Sequence, residues 1–324
     1  MRIVISKDND MLYRSKLLSL DPSMEIIALN PLDSTDPDWG TIPESDALFM
    51  CYQFLFAARD NPKIHNDLLG LAKRMKFLQS GFAGMDAPIL QDVLKIENVH
   101  IANASSVYAI PIAHYVFSQI LRWNKRIDHH IEYQQSKNWA PIAGDGELTN
   151  KTLVILGYGG IGSQVAKLGK AFGMRVTGIR RSPQDDEYAD EVLGLDQFEE
   201  LLPLTDFLVL SLPDSSQTRD IINKDILEKL NSSAMLINVG RGTAINEQDL
   251  VNALNNGESA AAALDTSKVE PLDTNSSLWT IKNCFISAHD SAHSLLSLER
   301  AFRLFFNNIK NIKEGVPIIN LYKN

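Results

Sequence analysis

Three polar groups stand just beyond three successive apolar runs in the C-terminal half of the chain. Arg241 follows AMLINV, Asp265 and then Glu270 follow AAAAL, and His289 follows CFISA. Such a set suits hydride addition to a ketone. The addition leaves an alkoxide, and a histidine that titrates near neutrality can protonate it. A carboxylate beside the ring favours the imidazolium and fixes its orientation. An arginine can grip a substrate carboxylate and polarise the carbonyl. Each residue also has a plainer reading. Arg241 between two glycines would close a turn, and Glu270 before Pro271 would be a loop charge. His293 is the rival of His289, four residues away. No HExxH glutamate and no third ligand accompanies that pair, so no metal is expected. The other histidines (65, 100, 114, 129 and 130) read as surface or satisfied core residues.

A second constellation lies upstream. Lys151–Leu156 is predicted as a strand, and Gly157-Tyr158-Gly159-Gly160-Ile161-Gly162 follows at once. Ile161, Val165, Leu168 and Phe172 then mark one helical face, and RVTGI supplies the next strand. A GxGxxG match alone is weak, but here it has the strand–turn–helix–strand context of a dinucleotide site. Gly157 permits the tight turn, Gly159 lets backbone approach a pyrophosphate, and Gly162 lets helix pack on strand. The free N–H groups of the helix start, from Gly160 and Ile161 on, favour an anion. Where an acidic residue would hold a ribose hydroxyl, this chain has Arg180, Arg181 and Ser182. A guanidinium bonds a 2′-phosphate well, so NADP(H) is favoured, with NAD possible. Solvated surface charges, neutralised by Asp185 and Asp186, are the alternative.

These groups need elements to position them. Short apolar runs alternate with helical patterns nearly from end to end, which predicts parallel sheets with crossover helices. Strands are predicted at Ile3–Ile5, Glu25–Leu29, Ala47–Cys51, Lys76–Gln79 and His100–Asn103, with a helix near Pro62–Arg74. A long helix with Pro111 in its first turn carries Ile112, Val116, Ile120, Trp123, Ile127 and Ile131 on one face. A loop over 136–148 follows, holding Pro141, Gly144 and Gly146. KTLVIL, RVTGI, DFLVLSL, AMLINV, AAAAL and CFISA are the strands of a second domain, and Leu295–Glu314 is a closing helix with an apolar stripe. The fold class is therefore α/β, with two doubly wound parallel-sheet domains. A Rossmann dinucleotide-binding domain spans 105–289, and a smaller, discontinuous, flavodoxin-like substrate domain spans 1–104 plus 290–324.

INVGRG (Ile237–Gly242), ALD with EPL (Ala263–Asp265, Glu270–Leu272) and SAH (Ser287–His289) resemble, in order and spacing, the signature segments of the D-isomer-specific 2-hydroxyacid dehydrogenases. SLP (Ser211–Pro213), Thr218-Arg219 and Leu278-Trp279 are similar to the segments between them, and the likeness runs from about Leu78 to Ala288. The resemblance implies that Arg241 binds substrate, Glu270 assists and His289 is the acid/base. It implies that Leu212 and Pro213 touch the cofactor and that Asp265 holds the nicotinamide amide. LQSGFAGMD (Leu78–Asp86) resembles the family's substrate loop, so the amides of Ala83 and Gly84 would face the substrate carboxylate. Ala288 stands where the family usually has proline, Thr266 and Ser267 where Val-Phe is common, and His114 where glutamate is frequent. Trp139 is similar to a tryptophan that reaches a neighbouring subunit in some relatives, which implies a homodimer. The same fold also serves NAD(H)-sensing corepressors without turnover, and formate or phosphite dehydrogenases. The formate enzymes carry glutamine in place of Glu270.

The resemblance implies a small-molecule 2-oxo/2-hydroxy acid as partner, and composition disfavours the other classes. The 324 residues carry a formal charge of −9, which disfavours nucleic acid. Hydrophobic residues make up 44 % and charged residues 22 %, ordinary for a folded chain. The run Ala47–Ala58 is too short to span a bilayer and MRIVISKDND lacks the features of a signal peptide, so a cytoplasmic location without membrane contact is expected. Cys51 and Cys284 form no CxxC pair and sit in apolar runs, as buried thiols do. The chain leaves no room for the regulatory domain of some phosphoglycerate dehydrogenases. Tyr52, Phe54, Phe56 and Phe82 crowd the expected substrate side. If they line it, the substrate side chain is small and apolar or merely polar, not a phosphate. Glyoxylate, hydroxypyruvate and short branched 2-oxo acids stay open.

Overall fold

A computed structural model describes residues 1–142 and 146–323. The chain forms two compact units, one of Met1–Tyr108 with the segment from Ser294 onward, the other of Ala109–His293. The boundaries at 108/109 and 293/294 compare with 104/105 and 289/290 drawn from the sequence.

The first unit begins with β1 (Arg2–Ser6), α1 (Lys7–Leu20), β2 (Glu25–Leu29), β3 (Ser45–Met50), α2 (Tyr52–Asp60), α3 (Pro62–Ala72), β4 (Met75–Ser80), α4 (Pro88–Val93) and β5 (His100–Ala102). The second runs through α5 (Ala109–Asn124), α6 (Ile127–Gln135), β6 (Thr152–Leu156), α7 (Gly160–Ala171), β7 (Arg175–Ile179), β8 (Glu191–Leu193), α8 (Phe198–Leu201), β9 (Phe207–Leu210), α9 (Lys224–Lys229), β10 (Met235–Asn238), α10 (Glu247–Asn256), β11 (Ala261–Leu264) and β12 (Cys284–Ile286). The chain then returns to the first unit as α11 (Leu295–Glu314) and β13 (Leu321–Lys323).

Each unit is built on one sheet. The first has the order β13-β5-β4-β3-β1-β2, the second β12-β11-β10-β9-β6-β7-β8. Every pairing is parallel except that of β13 with β5. The central strands FLVL, MLIN and AAAL are buried along their whole length, as strands covered on both faces must be. In the first unit, α11 lays Ala301, Phe302, Phe305 and Ile309 on the core, with Phe302 stacked on Tyr13 at 3.8 Å. That docking makes the first unit discontinuous in sequence.

The long helix departs from its prediction. Arg126 takes the left-handed conformation at φ 54° and breaks it into α5 and α6. The apolar spacing continues through the break, but the burial does not. Ile112, Val116 and Ile120 are buried, whereas α6 buries no residue and exposes Ile127 and Ile131. Of the loop expected over 136–148, Gly144 lies outside the described residues. Helices α1, α2, α4, α8, α9 and α10 and the short strands β8 and β13 are further elements that the apolar pattern does not single out. Among the described residues no helix is long and apolar enough to cross a membrane.

Candidate active site

In the second unit, β6 runs into the glycine turn and α7 rises from it. Gly157 sits at φ 99°, and a Cβ there would come within 2.8 Å of the Ser211 carbonyl group. Only glycine lets the turn pass this close to the end of β9. A Cβ at Gly159 would meet nothing within 4 Å, so the backbone faces open space. Gly162 would bring its Cβ to 3.1 Å from Ile155, which is why α7 can lie close on β6. No side chain caps α7, and the amides of Gly160, Ile161 and Gly162 have no partner among the described residues. An open cradle of unpaired N–H groups fits a dinucleotide pyrophosphate.

Arg180 directly follows β7, half-buried, with its N–H bonded to Leu193 at 3.0 Å. Arg181 and Ser182 are exposed. Neither arginine forms a salt bridge among the described residues. Asp186, which might have neutralised them, accepts instead from Ser163 Oγ at 3.2 Å and Tyr188 N at 2.9 Å. Both guanidinium groups can therefore take an anion. Leu212 and Pro213 follow β9, and Leu212 lies so close to Gly240 that a Cβ there would be 2.7 Å from it.

The next three strand ends converge. Gly242 approaches the Ser267 backbone so tightly that a Cβ would sit 2.0 Å from it. Arg241 is thereby set beside the loop that carries Glu270. Its Nη1 donates to the Gly240 carbonyl at 3.0 Å, and Asn238 Nδ2 holds the Arg241 carbonyl at 3.0 Å. His289 Nδ1 meets Glu270 Oε2 at 2.9 Å, and Glu270 Oε1 accepts from Ser267 N at 3.2 Å. The Glu270 hydrogen bond raises the His289 ring above its ordinary value. Burial opposes the rise, the Glu270 and Asp265 charges assist it and Arg241 works against it. Burial alone would raise Glu270. The hydrogen bond and charge of His289, the Ser267 N–H and Arg241 outweigh it and hold the carboxyl below its ordinary value. Both partners thus favour the ionised pair. His293 is exposed, and its backbone N–H bonds Asp290.

Asp265 is 1 % exposed. Its carboxylate accepts from Ser287 Oγ at 2.7 Å, Asp290 N at 3.1 Å, Ser291 N at 3.2 Å and the Ser291 hydroxyl. Its carbonyl accepts from His289 N at 2.8 Å. Tyr115 of α5 adds a hydrogen bond to Ser287 Oγ at 2.7 Å. Asp265 therefore holds the segment on either side of His289, which sits at φ 54° in the left-handed region. A nicotinamide amide would have to displace one of these donors. Tyr115, Ser287 and Ser291 were missed in the sequence. Only the position of Ser287 at a strand end hinted at them. His114 points outward from α5 and joins none of this.

In the first unit, the loop after β4 presents two amides. The carbonyls of Gly81, Phe82 and Ala83 are held by the Tyr108 hydroxyl, Ala104 N (2.8 Å) and Asn103 Nδ2 (3.0 Å). The N–H groups of Ala83 and Gly84 donate to nothing among the described residues. Two adjacent unpaired amides with their carbonyls tied down can receive a carboxylate. Phe54 is core, packed on Trp39, whereas Tyr52, Phe56, Phe82 and Tyr108 form a chain of ring contacts.

A glycine-turn dinucleotide cradle and a hydrogen-bonded histidine–glutamate pair on one parallel sheet define an NAD(P)-dependent oxidoreductase. Residues 117–291 match the family model of the D-isomer specific 2-hydroxyacid dehydrogenase NAD binding domain. The chain is 34 % identical to the glyoxylate reductase of Aeropyrum pernix, over 80 % of this chain and 79 % of that one. It is 30 % identical to the human glyoxylate reductase/hydroxypyruvate reductase, over 75 % and 76 %. A D-isomer specific 2-hydroxyacid dehydrogenase family protein from Aeromonas salmonicida superposes with a TM-score of 0.82 at 28 % identity, covering 99 % of this chain and 98 % of that one. The NADPH-dependent glyoxylate/hydroxypyruvate reductase of Sinorhizobium meliloti, solved with NADP and sulfate, shares the fold at a TM-score of 0.78, 24 % identity and 99 % and 98 % coverage. The chain belongs to the D-isomer specific 2-hydroxyacid dehydrogenase family.

Proposed function

We propose that the protein is an NADPH-preferring reductase that converts a 2-oxo acid to the D-2-hydroxy acid. The observation that carries this reading is the 2.9 Å pair of His289 and Glu270 at adjacent strand ends of the family's NAD-binding domain. NADPH, when bound, supplies the hydride to the carbonyl carbon. Gly157, Gly159, Gly160, Ile161 and Gly162 would hold its pyrophosphate, and Leu212 and Pro213 would line its passage. Arg180, Arg181 and Ser182 would take the 2′-phosphate. Arg241 would grip the substrate carboxylate and draw charge toward the carbonyl oxygen. The amides of Ala83 and Gly84 offer a second grip for a carboxylate. His289, kept as imidazolium by Glu270, gives its Nε2 proton to the developing alkoxide. Glu270 keeps Nδ1 protonated throughout, so the same ring takes the proton back in the reverse direction. Asp265, through Ser287, Asp290 and Ser291, positions the histidine.

A homodimer accompanies this reading. Helix α6 buries none of its residues, Ile127 and Ile131 stand exposed on it, and Trp139 is wholly exposed. Apolar side chains so placed suit an interface between copies.

NADPH oxidation against a panel of 2-oxo acids, with chiral analysis of the product, tests the proposal. Turnover with D-product supports it. Binding of NADPH or NADH with no turnover on any member would favour a sensing module instead.

A further inference from the structure

The first unit carries a partly open cavity of about 140 Å³ that none of the assigned roles uses. Leu12 and Tyr13 of α1, Leu298 and Ala301 of α11, and Phe49 and Cys51 at the end of β3 supply its walls. Gly81, from the loop that carries the Ala83 and Gly84 amides, completes them. A cavity of about 150 Å³ is large enough to hold benzene; beside the apolar walls, Asp8, Asn9 and Gln53 also line this one.

We propose that this cavity is the side-chain subsite of the enzyme, and that its substrates are 2-oxo acids with a bulky apolar side chain of about six heavy atoms, branched aliphatic or aromatic. The proposal rests on the 2-oxo acid reading above and narrows it. Three observations carry it. The first is position. Gly81 borders the cavity two residues before Ala83, and consecutive Cα atoms lie 3.8 Å apart. The cavity edge is therefore within roughly 7–8 Å of the amide that would hold the carboxylate, a span that the carbon chain of a 2-oxo acid bridges. Gly81 is fixed there, since its N–H bonds Met50 at 2.8 Å and a Cβ would come 3.1 Å from Cys51.

The second is size. The hydrogen of glyoxylate fills none of the cavity, and the hydroxymethyl group of hydroxypyruvate fills little more than one water's share, about 30 Å³. The third is charge. No lysine or arginine lines the cavity among the described residues, so a second carboxylate or a phosphate would be buried without a counter-charge. The carboxylate of Asp8, which also lines the cavity and accepts from Gln53 Nε2, adds a repulsion against an acidic side chain.

The test is a series of kcat/KM values with NADPH for glyoxylate, pyruvate, 4-methyl-2-oxopentanoate and 3-phenyl-2-oxopropanoate. The expected result is a rise along the series. Leu298→Phe, which fills the cavity from its half-exposed wall, should lower the ratio of 3-phenyl-2-oxopropanoate to glyoxylate by about tenfold or more, since pocket volume discriminates at that level per methylene. Thermal stabilisation of the unaltered enzyme by 3-phenyl-2-oxopropanoate should exceed that by glyoxylate at equal concentration. Should Leu298→Phe fail to fold, the series and the melting shift on the unaltered enzyme decide. Best turnover with glyoxylate, falling as the side chain grows, would overturn the subsite while leaving the 2-oxo acid reading intact. A rise that Leu298→Phe leaves unchanged would also overturn it. No turnover with any of the four would sink the reading on which it rests.

Discussion

Replacing Glu270 by Gln keeps the size and hydrogen-bonding reach of the side chain and removes its charge. The effect on His289 follows from geometry. Nδ1 and Oε2 are 2.9 Å apart, and the two side chains are 44 % and 42 % exposed. A sheltered charge-assisted hydrogen bond contributes about 1.5–3 kcal/mol. Exposure of this degree screens the pair, so about 1 kcal/mol is the reasonable share. That corresponds to a roughly fivefold loss of imidazolium at a pH where the ring is mostly neutral. The sign is fixed by chemistry. The pair raises the His289 pKa, and reduction needs the protonated ring. Reductive kcat/KM should therefore be high below the raised value and fall as pH rises through it. Oxidation of the hydroxy acid needs the neutral ring, so its limb runs the opposite way. In Glu270→Gln the reductive limb should move to lower pH. The assay is initial-rate NADPH oxidation across the pH range, with substrate well below KM. His289→Asn should cost roughly 10²–10⁴-fold, the usual worth of a positioned acid. His293→Asn, on an exposed residue, should do little. A reductive limb that stays in place or moves to higher pH in Glu270→Gln would refute the pairing. Loss of turnover in His293→Asn but not in His289→Asn would shift the acid by four residues.

Three further outcomes are expected. Changing Arg180 and Arg181 to Ala should shrink the NADPH-over-NADH ratio of kcat/KM about tenfold or more, given about 1.5–3 kcal/mol for each charge-assisted bond before screening. Equal rates with both coenzymes in the unaltered protein would sink that assignment. Arg241→Lys keeps the charge but loses the planar fork, so kcat/KM should fall steeply while coenzyme affinity, read by fluorescence titration, stays nearly constant. Asp265→Asn puts an amide among the Ser287, Asp290 and Ser291 donors. At about 1–3 kcal/mol per donor left unpaired, the melting temperature should drop by several degrees; an unchanged melting curve would show that these bonds contribute nothing.

Much of this was written in local sequence. The alternation of short apolar runs with helical stripes required parallel sheets, because strands buried on both faces can carry no polar alternation. The glycine turn was legible because Gly157, Gly159 and Gly162 stand at fixed spacing between a strand and a helix, although the crowding at Gly157 comes from the distant Ser211 carbonyl. Arg241, Glu270 and His289 could be picked out because side chains at strand ends face the ligand edge of such a sheet. The coenzyme expectation rested on Arg180 standing directly after β7, again a local feature.

Other features depended on groups far apart in the chain. Asp265 was legible as a strand-end carboxylate, but only folding shows the hydrogen bonds it takes from Ser287, Asp290 and Ser291, with Tyr115 bonded to Ser287 from 172 residues away. The break at Arg126 was hidden because the apolar spacing runs straight through it. Periodicity records which residues share a face, not whether anything covers that face. Phe54 and Tyr52 stand two apart in sequence, yet Phe54 fills the core against Trp39 and Tyr52 borders a cavity. That cavity is the clearest case. Its walls come from α1, α11 and the ends of β3 and β4, and empty volume is a property of how side chains from distant segments fail to meet, which no stretch of sequence contains.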